Sequence, residues 1–236
     1  MLCKIADLLV EVPETGGLSV RCQDYLCDQK LGADITIRTQ LYDHRRYSAN
    51  VNENDFAYME SCRQFCIRLM DFNGFYLHAS AVEMNGKAYL FSANSGVGKS
   101  THTRLWQQLF GTEAQVINDD KPALRCLDGV WYAYGTPWCG KDGINLNKKV
   151  PLAGICFLHQ GKENRIRQLT TQEALVKLFS QTIRLFHNQE RLDLMLGHLE
   201  KLLNRIPVFE LENRPEPEAA RLSYETMSRK AEEMGL

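Results

Sequence analysis

Ala93-Asn94-Ser95-Gly96-Val97-Gly98-Lys99-Ser100 is the stretch on which the fold turns. Its two glycines let the backbone turn tightly with N–H groups pointing inward. The lysine supplies a mobile positive charge, and the serine hydroxyl can ligate Mg²⁺. The pattern is that of a phosphate-binding P-loop, and the ligand it implies is a nucleotide polyphosphate. Ala93 stands where the strict pattern has glycine, which is tolerable if its φ is negative. A working loop of this kind leaves a strand and opens a helix whose N-terminus faces the phosphates. Both flanks comply: Lys87 to Ser92 is a β-prone run behind the turn Asn85-Gly86, and Leu105, Leu109 and Phe110 form a helical stripe that stops at Gly111. A chance glycine-rich turn would not require both.

Immediately upstream, Tyr76-Leu77-His78-Ala79-Ser80-Ala81-Val82 reads as the first arm of a β-hairpin whose second arm enters the loop, bringing His78 and Ser80 toward the phosphate end. From spacing alone, a core histidine bonded to backbone explains His78 equally well. Downstream, Ala114 to Ile117 is a buried strand running into Asn118-Asp119-Asp120. Adjacent carboxylates at a strand end repel unless a cation sits between them. Beside a P-loop that cation is Mg²⁺, held by one aspartate while the other receives a proton. An exposed Asp-Asp turn before Pro122 is the other reading. The spacing from Lys99 suits one crossover helix and its return strand.

Further out, Asp128-Gly129 joins Ala123–Leu127 to Val130–Tyr134 as a hairpin. The loop from Gly135 to Gly143 carries three glycines, Lys141 and Asp142, and either covers bound phosphates or is a surface connection. Leu152 to Leu158 is another buried strand. Thr170 and Glu173 form a capping box for a helix with Leu175, Leu178, Phe179, Thr182, Leu185 and Phe186 on one face. A second helix carries Leu192, Met195, Leu196, Leu199, Leu202, Leu203 and Ile206 and stops at Pro207. Val208 to Leu211 is a last strand, and Glu218 to Glu233 a charged terminal helix.

Before the loop, residues 1 to about 50 are expected to be β-rich, with strands at Leu8–Val12 and Ile35–Thr39. Phe56, Met59, Cys62, Cys66, Leu69 and Met70 then mark a helix that ends at Asn73-Gly74. The chain divides into a small β-rich region, 1–73, with one helix, and a nucleotide-binding part, 74–236. The overall class is α/β with a mixed sheet.

With 236 residues the chain can bury a full core. A net charge of -1 leaves no footprint for nucleic acid or an anionic membrane. No apolar run has the length of a membrane span, and Asp7 interrupts what would be a signal sequence, so a cytoplasmic protein is expected. The eight cysteines include no C-x-x-C pair. Reduced, buried thiols follow, with Cys62 and Cys66 on one helix face as core packing rather than metal ligands.

The order His78-Ala79-Ser80-Ala81-Val82, the 95–100 loop, then Val116-Ile117-Asn118-Asp119-Asp120 resembles the catalytic domain of HPr kinase/phosphorylase, whose nucleotide fold is similar to that of phosphoenolpyruvate carboxykinase. The resemblance covers about residues 74–165. It implies an ATP- and Mg²⁺-dependent serine kinase acting on a small protein or peptide. In that reading Lys99 contacts the transferred phosphoryl group, Asp120 takes the acceptor proton and His78 supports the transfer. Ser100 and Asp119 hold the metal. Ala93, Asn94, Ser95, Gly96, Val97, Gly98, Lys99, Ser100, Thr101 and Lys141 form the nucleotide contacts. Two features depart from the family: the amino-terminal part is shorter, and Thr136 to Gly143 stands where its Arg-Gly signature with a metal-binding Glu belongs. HPr itself is therefore not implied as the acceptor. A small-molecule hydroxyl kinase and a non-catalytic nucleotide-binding regulator remain alternatives, and a homo-oligomer is left open.

Overall fold

The computed structural model describes residues 1–29, 32–39, 52–94, 96–183 and 188–236. Ser95, Leu185 and Phe186, named above, lie outside them, as do residues 40–51.

The architecture is mixed α/β. β1 (Leu2–Ile5) and β2 (Leu8–Glu11) pair antiparallel, and β3 (Ile35–Thr36) joins β2 in parallel. Sequence analysis missed β1 and also α1 (Gly16–Arg21), so the amino-terminal region is less purely β than expected. α2 (Glu53–Leu69) starts at Asn52, whose side chain accepts the Asp55 N–H. Its Phe65 stacks on Trp138 at 4.7 Å, and Cys62 and Cys66 are buried with their sulfurs 3.9 Å apart.

The remaining strands make one curled sheet. They are β4 (Gly74–Tyr76), β5 (Ala79–Met84), β6 (Lys87–Ser92), β7 (Gln115–Asp120), β8 (Ala123–Leu127), β9 (Val130–Tyr134), β10 (Lys149–Gln160), β11 (Arg165–Gln168) and β12 (Val208–Asn213). Their main order is β4-β8-β9-β10-β6-β5-β7, with β12 against β10 and β11 on β12. β10 changes neighbours along its length. Lys149–Pro151 pair antiparallel with β9, and from Leu152 the strand runs parallel to β6, with a register shift between Leu152 and Gly154, and from Ile155 parallel to β12 as well.

β6 is buried on both faces, as a central strand must be. Ala88 and Leu90 join one core with Phe157, Leu178 and Leu199, under α4 (Thr171–Ser180) and α5 (Gln189–Leu203). Tyr89 and Phe91 join the other with Trp106 and Met227, under α3 (Lys99–Phe110) and α6 (Pro217–Glu233). The amino-terminal strands share a third core with α2, Ala123, Tyr134 and Trp138.

Two expectations are corrected. The arm Tyr76–Val82 is not one strand: β4 pairs with β8, β5 pairs with β6 and β7, and the chain breaks at Leu77-His78. There the Leu77 N–H goes to Pro122 O and the His78 N–H to Gln181 O, both outside the ladders. The capping box at Thr170 and Glu173 is present, but α4 stops at Ser180, so Thr182 is not on its face. Gln181 turns away because its carbonyl is committed to His78.

Candidate functional site

β6 delivers the chain to residue 93 and α3 carries it away from Lys99, as the loop requires. Gly96 and Gly98 have φ of 83° and 117°, a region that costs side chains with a Cβ. Ala93 does not have positive φ, so the alanine is accommodated. The amino-terminal end of α3 has no side-chain cap, and its first-turn N–H groups face the loop with the positive end of the helix dipole behind them.

Around this end, distant parts of the chain converge on a cleft of about 570 Å³. It is lined by Gly96, Gly98, Lys99, Ser100, Thr101 and Arg104, with His78, Asp119, Asp120, Gly140, Lys141 and Asp142 opposite. The Ser100 hydroxyl donates to Asp119 Oδ2 at 2.9 Å. Lys99 Nζ donates to Ala93 O at 3.2 Å and lies 3.0 Å from His78 Nε2. That same Nε2 is 3.0 Å from Asp120 Oδ1, while Lys121 Nζ holds Asp120 Oδ2 at 2.6 Å. Asp119 and Asp120 thus point to different partners, and the cation beside Asp120 is the protein's own Lys121. This is no exposed turn: Asp119 is buried and Asp120 closes β7.

Burial weakens the Lys99 ammonium and lowers its pKa below the ordinary lysine value, against the pull of Asp120 and Asp119. Burial would raise the Asp120 carboxyl, but the adjacent His78 ring and the Lys121 charge outweigh it and hold Asp120 well below the usual carboxylate range. Lys121 sits above the usual lysine range: burial would lower it, and Cys62 and Asp120 more than offset that. Asp120 also has φ of 126°, rare for a residue with a side chain and a store of local strain. It is held there by pairing with Ala79 on one side and Cys139 on the other.

The loop after β9 is two things at once. Thr136, Trp138 and Cys139 are buried; Trp138 Nε1 donates to Ser61 Oγ at 3.0 Å, and Asn118 Nδ2 donates to Thr136 O at 3.0 Å. Of this loop, Gly140, Lys141 and Asp142 line the cleft, where Asp142 pairs with Arg104 of α3. A plain surface connection does not describe it.

Sequence reasoning missed Lys121 and Gln181. Lys121 was visible as a cation next to the aspartates. Gln181 carried no local signal, since it lies far along the chain at the end of α4. His78 Nδ1 lies 2.9 Å from Gln181 Oε1, and Gln181 Nε2 donates to Asn94 Oδ1 at 3.1 Å.

Ser100 and Asp119 present two hard oxygen donors side by side, which suits Mg²⁺: that ion takes one or two protein oxygens and completes its shell with phosphate and water. Among the described residues no group of three or more His, Cys, Asp or Glu forms a cage that would hold a metal without them. Among them, too, no helix is long and apolar enough to cross a membrane.

Residues 48–212 match the family described as "ScmC: SynChlorMet cassette protein ScmC". The chain belongs to that family. No curated protein matches it. Among solved structures, the Hpr(Ser) kinase/phosphatase from Coxiella burnetii overlaps 66% of this chain and 88% of its own, at 11% identity and a TM-score of 0.37, a likeness too loose to carry an argument.

Proposed function

We propose that this ScmC-family chain is an ATP- and Mg²⁺-dependent kinase that transfers the terminal phosphoryl group to a hydroxyl, with a serine of a small protein or peptide as the acceptor. The observation that supports it most is the convergence, in one cleft, of a glycine-turned loop at an uncapped helix end, the Ser100–Asp119 pair, and Asp120 between His78 and Lys121. Phosphoryl transfer asks a protein for little beyond positioning, charge neutralisation and a proton acceptor.

In this reading the loop amides and Lys99 bind the phosphates, and the partly desolvated ammonium exchanges His78 for a phosphate oxygen. Ser100 and Asp119 would hold Mg²⁺, which when bound neutralises charge building on the phosphate oxygens. Asp120 accepts the hydroxyl proton. Its depressed pKa makes it a weak base, so it takes the proton late, once bond formation to phosphorus has acidified the hydroxyl. His78 and Lys121 hold both carboxylate oxygens in place for that step.

The test is incubation of the full chain with Mg²⁺, γ-labelled ATP and serine-containing peptides. Label on the peptide is the expected result. Saturating Mg²⁺-ATP should also raise the melting temperature, since a ligand at a hundred times its Kd stabilises the native state by about 2.7 kcal/mol. Lys99→Ala should abolish both effects. Binding without transfer to any hydroxyl would leave a nucleotide-binding regulator, and no thermal shift at several millimolar ligand would remove the nucleotide reading itself.

A further inference from the structure

His78 Nε2 faces two demands that one protonation state cannot meet. Lys99 Nζ, 3.0 Å away, has only protons to give, so it needs a bare Nε2 lone pair. Asp120 Oδ1, also 3.0 Å away, has only lone pairs, so it needs a proton on Nε2. The choice depends on what the other ring nitrogen is bonded to. That partner is Gln181, whose amide can present either a carbonyl or an NH₂ to Nδ1.

We propose that Gln181 is a positioning residue that sets the His78 tautomer and ties it to Asn94 of the phosphate loop. With the amides as they stand, Asn94 Oδ1 accepts from Gln181 Nε2 and Gln181 Oε1 faces Nδ1, which puts the proton on Nδ1 and leaves a bare Nε2 to accept from Lys99. The chain of hydrogen bonds has a direction, and it can run the other way. With both amides reversed, Asn94 Nδ2 donates to Gln181 Oε1, Gln181 Nε2 donates to a bare Nδ1, and Nε2–H donates to Asp120. One proton leaves Nδ1 for solvent and one arrives at Nε2, which the partly open ring permits. The charge count does not change.

The backbone holds this device together. The His78 N–H donates to Gln181 O at 2.9 Å, and Ser92 Oγ donates to His78 O at 2.8 Å, so ring, glutamine and the end of β6 are fixed relative to one another. An anion at the loop draws the Lys99 ammonium away from Nε2, and the lone pairs of Nε2 and Asp120 are then left facing each other. The reversed chain relieves that, and delivers Asp120 a neutral donor that keeps its carboxylate aimed. This half rests on the nucleotide reading; the free-state half does not.

The experiment is long-range ¹⁵N–¹H correlation NMR on histidine-labelled full-length protein at pH 8, where an ordinary imidazole is neutral, with the His78 signals assigned by loss in His78→Gln. Wild type without ligand should show the proton on Nδ1. Gln181→Leu, which offers no partner, should move it to Nε2. Gln181→Glu, an isosteric acceptor only, should keep it on Nδ1 with or without ligand. Adding Mg²⁺ and a non-hydrolysable ATP analogue should move the wild-type proton to Nε2. An Nε2–H ring in the free wild type, or a tautomer indifferent to both Gln181 variants, overturns the proposal. If the analogue binds, as seen by shifts of the loop amides, and the ring does not change, the coupling to the loop is overturned. If it does not bind, the proposed function fails while the free-state result still decides the role of Gln181.

Discussion

Two carboxylates in this molecule each hold a histidine ring and a lysine ammonium. Asp120 has His78 at 3.0 Å and Lys121 at 2.6 Å; Glu210 has His159 at 2.8 Å, Lys177 at 2.8 Å and Arg167 at 2.7 Å. Burial would raise both carboxyl pKa values, and in both the bonded partners win and lower them. The backbones differ. Glu210 lies within β12, where His159 Nε2 likewise stands between Lys177 Nζ at 3.1 Å and Glu210 Oε1 at 2.8 Å, but on backbone without positive φ. Asp120 ends β7 at φ of 126°, beside a weakened ammonium and a ring nitrogen with contradictory partners. Charge clustering alone therefore marks nothing. What distinguishes Asp120 is its backbone strain, in a cleft beside the 93–100 loop.

The comparison breaks or holds most sharply in the transfer rate. Asp120→Asn should still bind Mg²⁺-ATP but transfer about 10²-fold more slowly or worse, the usual weight of a proton acceptor. Glu210→Gln should transfer at the wild-type rate. Asp119→Asn should lose activity through metal affinity, part of it restored by raising Mg²⁺. The readout is initial rate against Mg²⁺ for the three variants. Rescue of Asp120→Asn but not Asp119→Asn by Mg²⁺ would exchange the two roles.

Strain gives the next largest effect, seen in stability. Gly98→Ala places a Cβ at φ of 117°, where the obstacle is conformational rather than lack of room, since the added atom would meet only the Thr101 Cβ at 3.8 Å. It should destabilise by about 1–3 kcal/mol. Gly197→Ala, inside α5 with open space around it, should stabilise by roughly 0.5–1 kcal/mol. Urea midpoints measure both, and a neutral Gly98→Ala would mean the loop relaxes freely and stores no strain.

Acid unfolding separates the carboxylates by a smaller margin. A carboxyl depressed in the folded state stabilises it above the unfolded pKa, near 4, and that contribution is lost as pH falls from there toward the folded value. Asp120 is depressed below the usual range, so Asp120→Asn should flatten the fall in stability between about pH 5 and pH 2. An unchanged acid limb would show that the His78 and Lys121 contacts do not persist in solution.

What the sequence disclosed follows the range of the interactions involved. The glycine turn between β6 and α3, the hairpin around Asn85-Gly86, the capping box at Thr170 and the hairpin at Asp128-Gly129 are written in adjacent residues, and each appears in the structure. Asn118-Asp119-Asp120 could be placed at a strand end for the same reason. Spacing alone leaves His78 undecided because its meaning depends on Gln181, Lys99 and Asp120, three separate parts of the chain. The break in the Tyr76–Val82 arm was illegible because its cause is the pair of backbone bonds from Leu77 and His78 to Pro122 and Gln181. Buried His198, bonded through Nε2 to Met70 O at 2.9 Å, is the core histidine that His78 turned out not to be.

The smallest effect belongs to Glu210, and it completes the comparison. Two cations and an imidazole surround it, yet the His159 and Arg167 side chains are each 49% exposed, so solvent screens what they contribute. Exposed pairs of this kind are worth about 0.2–1 kcal/mol apiece, and the cost of fixing long side chains takes much of that back. Glu210→Gln should therefore shift stability by no more than about 1 kcal/mol, and by less still in 1 M salt, where the screening length is about 3 Å. The loss of transfer in Asp120→Asn should not respond to salt in this way, because a missing proton acceptor is not a screened charge. The two variants are compared by urea unfolding at low and high salt and by transfer rate in the same buffers. A large, salt-insensitive loss of stability in Glu210→Gln would mean that this cluster is a desolvated structural anchor, and the contrast with Asp120 would then lie in backbone strain alone.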